Sequence, residues 1–324
     1  MNKMAIRKIS IKVTTNLLML FLIGLIVVLL TNVPLDLNFF HIDGKLVSNM
    51  DYSLYQENVL SSIKNLVSGS YLQIPVTGRG QTVGAILLIA LKRSMTLFFI
   101  ALVVSLLIGI PKGIFDSRRQ KKQSTFKFLQ TIIPLSVPDV LLISLIQLLG
   151  LYLYRRNITL LGIGPVLHLG YAHWSQAIYP TIALSLVPAA YIARITATSI
   201  EAVYDKDYIL AARGKGCSET RIILNHAMRN VWVDLIASFP TITSMMFSSL
   251  FIVERIFYYP GIAFEMIELY GRPTDVYLMG GRVADTSITT AFLAFAVTLA
   301  LIYFILYTIL DIVRQVLVPK LKNQ

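Results

Sequence analysis

Residues 205–230 read Asp-Lys-Asp-Tyr-Ile-Leu-Ala-Ala-Arg-Gly-Lys-Gly-Cys-Ser-Glu-Thr-Arg-Ile-Ile-Leu-Asn-His-Ala-Met-Arg-Asn, a polar, basic island with apolar runs on both sides. Ala211 and Ala212 close a helix-like segment, Gly214 and Gly216 break it, and a second helical pattern (Ile222, Ile223, His226, Ala227) follows at once. The spacing predicts a helix-turn-helix. The flanking runs say what it stands in. The chain is 56% hydrophobic and 14% charged, against about 25% charged in a soluble domain, and its mean hydropathy is +0.69. Its apolar residues fall in blocks of about 20, the length that crosses a bilayer as a helix. The fold class is therefore all-α, a polytopic membrane protein of about six transmembrane helices. The island is read as a loop on the cytoplasmic face, shaped to plug into a partner.

Taken in order, residues 1–30 hold a basic tail (Lys3, Arg7, Lys8, Lys12) and a first span over Val13–Leu30. No small-residue cleavage site follows Leu30, so the span is expected to be retained. Residues 31–84 are polar, hold Asp36, Asp43, Asp51 and Glu57, and are placed outside the cell as a loop with short helices or strands. Residues 85–313 form the core. Its second span covers about Leu91 to Ile110, with Lys92 and Arg93 at the outer end and Pro111 and Gly113 as helix stops. The third, about Phe128 to Tyr152, contains Pro134 and Pro138. Gly162, Gly164 and Pro165 shape the next outer loop, and the fourth span runs from Trp174 to Ser199. The island over 200–230 follows, then a fifth span over Val231–Val253, an outer loop over Glu254–Asp285 and a sixth span over Ile288–Val313. Residues 314–324 are a cytoplasmic tail. Basic residues fix the orientation. Eighteen lie in the inner segments, in the N-terminal tail, the cluster from Lys112 to Lys127, the island and the C-terminal tail. Ten lie in the longer outer ones, with Arg155 and Arg156 the exception to a clean separation. Both termini are expected in the cytoplasm. Basic residues gathered between apolar blocks are membrane anchors, so the net charge of +12 does not signal nucleic acid.

The chain shows no chemistry of its own. Gly44-Lys45 and Gly214-Lys215 lack the rest of a phosphate loop, and Gly78-Arg-Gly80 lacks the third glycine of a dinucleotide site. His41, His168, His173 and His226 are scattered, and Cys217 is the single cysteine, so neither a metal site nor a disulfide is expected. No catalytic residue is assigned.

From Tyr191 onward the chain resembles the permease subunits of binding-protein-dependent ABC importers, in the oligopeptide/dipeptide/nickel branch. The resemblance rests on Tyr191-Ile-Ala-Arg-Ile195, Asp207-Tyr-Ile-Leu-Ala-Ala-Arg-Gly-Lys-Gly216, His226-Ala-Met-Arg-Asn230 and Glu254-Arg-Ile-Phe-Tyr-Tyr-Pro-Gly261, with weaker echoes in Gly109-Ile-Pro-Lys-Gly113 and Ser136-Val-Pro138. It implies an ABC importer permease core that passes a small polar solute, oligopeptides or dipeptides first and nickel or a metal chelate next. It also implies a second homologous permease, two ATPase subunits and an extracytoplasmic substrate-binding protein as partners. ATP and Mg would sit on the ATPases, with no cofactor in this chain. In this family the island holds a coupling helix that docks on the ATPase. Ala211, Ala212 and Gly216 then occupy the Ala-Ala-x-x-x-Gly positions, with Arg213 and Arg221 beside them, and Arg213 and Lys215 are expected to pair with acids of the ATPase. Glu254, Pro260 and Gly261, with the loop 31–84, would face the binding protein. One departure stands out. The family usually has an aliphatic stretch and a proline after the island, whereas this chain has Val233-Asp234, and Asp234 is expected in the N-terminal turn of the fifth span.

Polar residues within spans are the candidates for the translocation path. The fifth span offers Ser238, Thr241, Ser244, Ser248 and Ser249, of which Thr241, Ser244 and Ser248 share one helical face. Such hydroxyls either line a path or pack helices together. Asp139, an acid inside the third span, either recognises a cationic cargo group, pairs with an arginine, or sits near the cytosolic end. The alternative class is an ion-coupled secondary transporter or channel. That reading requires broken helices repeated in two halves and leaves the island without a task.

Overall fold

The structure is a computed structural model that describes residues 3–33, 37–42, 45–48, 50–76, 80–117, 133–158, 169–204, 206–270, 275–278, 281–284 and 286–322. In chain order its elements are α1 (Lys3–Thr31), β1 (Phe39–Ile42), β2 (Lys45–Ser48), α2 (Tyr52–Ser68), α3 (Val83–Asp116), α4 (Asp139–Arg155) and α5 (Ile178–Glu201). They continue with α6 (Asp207–Gly214), α7 (Glu219–Ile222), α8 (Met228–Ile256), α9 (Ile262–Tyr270), β3 (Asp275–Leu278), β4 (Gly281–Ala284) and α10 (Thr286–Lys322). Among the described residues, five helical stretches are long and apolar enough to cross a membrane: Val13–Thr31, Val83–Asp116, Trp174–Glu201, Glu219–Ile256 and Thr290–Leu317. The 17-residue α4 is a sixth apolar helix, about 26 Å long at 1.5 Å per residue, at the short end of what spans. The basic cluster Arg118–Lys127, the start of the expected third span, and Gly162, Gly164 and Pro165 lie outside the described residues.

The chain divides into two compact units, 1–92 with 261–304 and 93–260 with 305–324. In the first, the segment expected to hold short helices or strands has both. β1 and β2 form an antiparallel hairpin in which Phe39 faces Ser48 and Ile42 faces Lys45. Asp51 caps α2 by accepting from the Ser53 and Leu54 amides at 3.0 and 3.2 Å. The Ser53 hydroxyl, donating at 2.6 Å, is the main cause of an Asp51 carboxyl held below its usual range. Gly69, at φ 72°, ends the helix. The Tyr55 hydroxyl donates to the Leu29 carbonyl at 3.0 Å and Ser62 to Asn32 at 3.2 Å, tying α2 to the end of α1. β3 and β4 form a second small antiparallel hairpin.

In the second unit α5 and α8 make the most extensive pairing, and α4 packs on both. Three expectations are corrected here. First, Pro111 and Gly113 do not stop the second span, because α3 runs through Pro111 to Asp116. A proline removes one backbone donor, which a membrane helix tolerates when neighbouring helices compensate. Gly109 and Gly113 serve contact instead. A Cβ on Gly109 would lie 2.7 Å from the Ala189 carbonyl oxygen, and one on Gly113 2.5 Å from that of Ala193. The two glycines let α3 lie directly against α5. Lys112 bonds Asp116 one turn on, at 2.6 Å. Second, the third span, expected to kink at Pro134 and Pro138, is interrupted before Asp139 instead. A turn of helix over 133–136 ends there and α4 starts at Asp139, after Pro138 in an extended conformation. Third, the fifth span starts before Val231. α7 passes through a π-helical turn, Ile223–Ala227, into α8, so helix is continuous from Glu219 to Ile256.

That continuity also relocates Asp234. It lies inside α8 rather than in an N-terminal turn, and accepts from the Ser199 hydroxyl of α5 at 2.6 Å. Further bonds cross between helices. Ser105 donates to the Ser185 carbonyl at 3.1 Å. The Gln147 amide donates to the Ile256 carbonyl at 2.7 Å, satisfying one of the carbonyls that the end of α8 leaves open. Tyr258, in the left-handed region at φ 52°, turns the chain, and the buried Tyr259 donates through its hydroxyl to the Arg93 carbonyl at 3.3 Å.

Candidate functional site

The island folds as two short helices around a turn. Asp207 stands in the first turn of α6 and Arg213 in its last, each matching the helix dipole. The turn closes on backbone bonds from Lys215 to Ala211, Gly216 to Arg213 and Cys217 to Ala212. Gly216 takes φ 77°, a left-handed conformation that disfavours residues with a Cβ. Ser218 then caps α7, accepting from the Arg221 amide at 3.4 Å. Ile209, Ala212 and Ile222 form a small apolar core, with Cys217 packed on it. The small size of Ala212 is therefore used inside the island, whereas Ala211 is exposed. Tyr208 (47%), Leu210 (50%) and Leu224 (57%) present apolar surface outward.

Arg213 is bonded within the island. Its Nε donates to Glu219 Oε1 at 3.2 Å, and its guanidinium lies 4.7 Å from the centre of the Tyr204 ring. The Tyr204 hydroxyl donates to the other oxygen, Glu219 Oε2, at 2.5 Å. The three side chains close a ring that joins the residue just past α5, the end of α6 and the start of α7. Burial first, and then the bond to Glu219 and its charge, push the Tyr204 phenol above its usual range, against the opposing pull of Arg213. Arg221 is exposed on α7.

Farther along the same continuous helix, the hydroxyl residues occupy an open face. Thr241 and Ser248 are exposed, while Ser238 and Ser244 are half-buried on that side. Ser244 also donates back to the Pro240 carbonyl at 2.9 Å. Ser249, the next residue after Ser248, is buried and donates to Asp139 Oδ2 at 2.6 Å. Asp139 thus stands half-buried in the first turn of α4, where the dipole favours a carboxylate.

The residues expected to face a binding protein are less accessible. Glu254 is fully buried in α8, where the Ser94 hydroxyl donates to it at 2.5 Å. Gly261 is buried and Pro260 half-buried. Sequence reasoning missed Glu219, Tyr204, Ser199 and Ser94. Only Glu219 had a local signal, a Ser-Glu pair after Gly216 that marks a helix start. Among the described residues no group of three or more His, Cys, Asp or Glu side chains is placed to hold a metal ion.

Long apolar helices, a structured basic island and an open hydroxyl face define a polytopic helical membrane protein with a two-helix island built onto a membrane helix. The chain belongs to the family of binding-protein-dependent transport system inner membrane components, which matches residues 101–323. Over 194 residues it is 28% identical to the dipeptide transport system permease protein of Bacillus subtilis, covering 59% of each chain. Over 178 residues it is 32% identical to the dipeptide transport system permease protein of Lactococcus lactis, covering 54% of this chain and 55% of that one. Over 212 residues it is 25% identical to the oligopeptide transport system permease protein of Bacillus subtilis, covering 63% and 65%. The matched part is thus less than two thirds of the length of these relatives.

Proposed function

We propose that the chain is a permease subunit of an ATP-driven ABC importer and forms half of the path for a small polar solute, most readily a dipeptide or short oligopeptide. The observation that carries this reading is the helix from Glu219 to Ile256, which joins the island to the hydroxyl face without a break. An element that docks on an ATPase at one end of such a helix moves the path at its other end. Tyr208, Leu210, Ala211 and Leu224 supply the apolar docking surface, with Arg221 beside it and Gly216 setting the turn. Thr241, Ser244 and Ser248, with Ser238, line the path, and Asp139 stands at its side. Hydroxyls suit such cargo because they exchange hydrogen bonds with peptide groups without holding them tightly.

The partners in this reading are a second homologous permease, two ATPase subunits and an extracytoplasmic binding protein. ATP and Mg are bound by the ATPases. The clustered basic residues put the island and both termini in the cytoplasm. The dipeptide names of two relatives support the choice of cargo. The test is to purify the chain in detergent, identify the ATPase and second permease that come with it, and measure ATP-dependent uptake in proteoliposomes with the binding protein. Labelled dipeptide, glutathione and nickel are offered separately. Dipeptide uptake that stops without ATP supports the reading, and uptake driven by an ion gradient with no ATPase present overturns it.

A further inference from the structure

We propose that Glu219 is a positioning residue for energy coupling, its carboxylate fastening the docking helix α6 to both membrane helices that leave the island. The inference rests on the importer reading above and goes beyond it, since nothing in that reading assigns Glu219 a role. One carboxylate oxygen takes the Tyr204 hydroxyl and the other takes Arg213 Nε. Tyr204 lies three residues past the end of α5, and Arg213 is in the last turn of α6. Glu219 is itself the first residue of the helix that continues to Ile256. One side chain therefore meets all three elements.

The alternative is that the ring merely stabilises the fold. The exposure of its ion pair argues against that, although Tyr204 itself is buried. The Arg213 and Glu219 side chains are 35% and 48% exposed, and pairs so open to water contribute little to stability. The island also has an apolar core of its own in Ile209, Ala212 and Ile222. That core, with Cys217 packed on it, holds α6 against α7, but apolar packing is non-directional. A carboxylate that takes one donor on each oxygen, one of them charged, adds direction. With the ring closed, a displacement of α6 reaches α5 and α8 together. With it open, α6 can rock on its apolar seat and the displacement is lost.

The test uses the complete transporter, reconstituted with its ATPases, second permease and binding protein, and reads dipeptide taken up per ATP hydrolysed. Glu219→Ala is expected to assemble with the ATPases in the parent's amount and to unfold somewhat below the parent's temperature, because the hydroxyl of the buried Tyr204 loses its acceptor. Its uptake per ATP is expected to fall by about tenfold, the scale set by losing a hydrogen bond to a charged group. Tyr204→Phe removes only the hydroxyl donor and should fall less, which keeps the inference testable if Glu219→Ala fails to fold. Exchanging the charges, Arg213→Glu with Glu219→Arg, should recover part of the ratio. A parent-like ratio in both Glu219→Ala and Tyr204→Phe overturns the inference, as does a loss of assembly that accounts for the whole effect in both. If the unaltered chain neither binds an ATPase nor supports ATP-dependent uptake, the importer reading itself has failed.

Discussion

Ser199 and Asp234 are joined by a hydrogen bond of 2.6 Å, hydroxyl to carboxylate, between the end of α5 and the second turn of α8. Ser199 is buried, so its hydroxyl has little water to turn to when the acceptor is removed. Asp234→Ala is expected to destabilise the protein by about 1–3 kcal/mol, the cost of stranding a buried polar group. Asp234→Asn keeps an acceptor oxygen and should cost clearly less. Thermal unfolding in one detergent decides the matter, and equal losses in the two variants would show that the bond is not what Asp234 contributes.

The α3–α5 contact makes a sharper demand. Adding a Cβ at Gly113 brings it to 2.5 Å from both the Ala193 carbonyl oxygen and Thr196 Cβ, which neither backbone nor a β-branched side chain can relieve by rotation. Gly113→Ala is expected to destabilise by about 1–3 kcal/mol through overpacking, offset by up to about 1 kcal/mol of better helix propensity. Gly109→Ala meets contacts at 2.7 and 2.8 Å and should behave alike. Gly24, with nothing within 4 Å of its Cβ position, is the control, where alanine should be neutral or stabilising.

The spans and the island were legible in the sequence because their signals are local. An apolar block of about 20 residues has few other fates, and paired glycines after a helical pattern mark a turn. What was not legible depends on partners far along the chain. Pro111 and Gly113 read as a helix stop, yet the contact that gives Gly113 its purpose comes from Ala193 and Thr196. Asp139 has three readings in the sequence, and its bond to Ser249, 110 residues away, is none of them. Glu254 read as a surface acid because it borders a polar loop, and Ser94, 160 residues away, makes it a buried one. Arg213 was assigned to a partner because its own partner is Glu219, beyond a turn whose geometry the sequence does not specify.

Gly216 allows conformation to be separated from crowding. Its φ is 77°, and a Cβ there would meet nothing within 4 Å. The cost of substitution is then the left-handed backbone alone, about 1–2 kcal/mol for an ordinary residue. Asparagine, which tolerates this region, should cost less than alanine, and valine more than either. An order set by side-chain volume instead, with asparagine worse than alanine, would mean that the turn is packed in the assembled protein.

The Tyr204 phenol gives the island a pH signature. Burial and Glu219 raise its folded-state pKa above the ordinary 10.0, so the folded protein favours the neutral form. The stabilisation is fully present below pH 10.0 and is lost as pH rises through the folded value. The tyrosinate absorbance that disappears in Tyr204→Phe should therefore titrate above the ordinary range in the parent. The parent's unfolding temperature relative to that variant should hold steady through neutral pH and decline only beyond 10.0. A Tyr204 signal that titrates at or below the ordinary value would show that the hydroxyl does not donate to Glu219.

Asp139 separates a latch from a cargo contact. In both cases its Oδ2 accepts from Ser249 at 2.6 Å, so a variant must split charge from hydrogen bonding. Asp139→Asn keeps an acceptor for Ser249 and removes the charge, whereas Asp139→Ala removes both. If the carboxylate serves only to hold α4 against α8, Asn should be near neutral and Ala should lose about 1–3 kcal/mol of stability. If it also attracts the ammonium group of a peptide crossing the hydroxyl face, both variants should slow uptake of a dipeptide with a free amino terminus. Neither should slow its N-acetylated counterpart. The cargo role is the outcome expected from the importer reading, because a latch alone has no need of a charge that is costly inside a membrane. Equal uptake of both peptides by Asp139→Asn and the parent would reduce Asp139 to the latch.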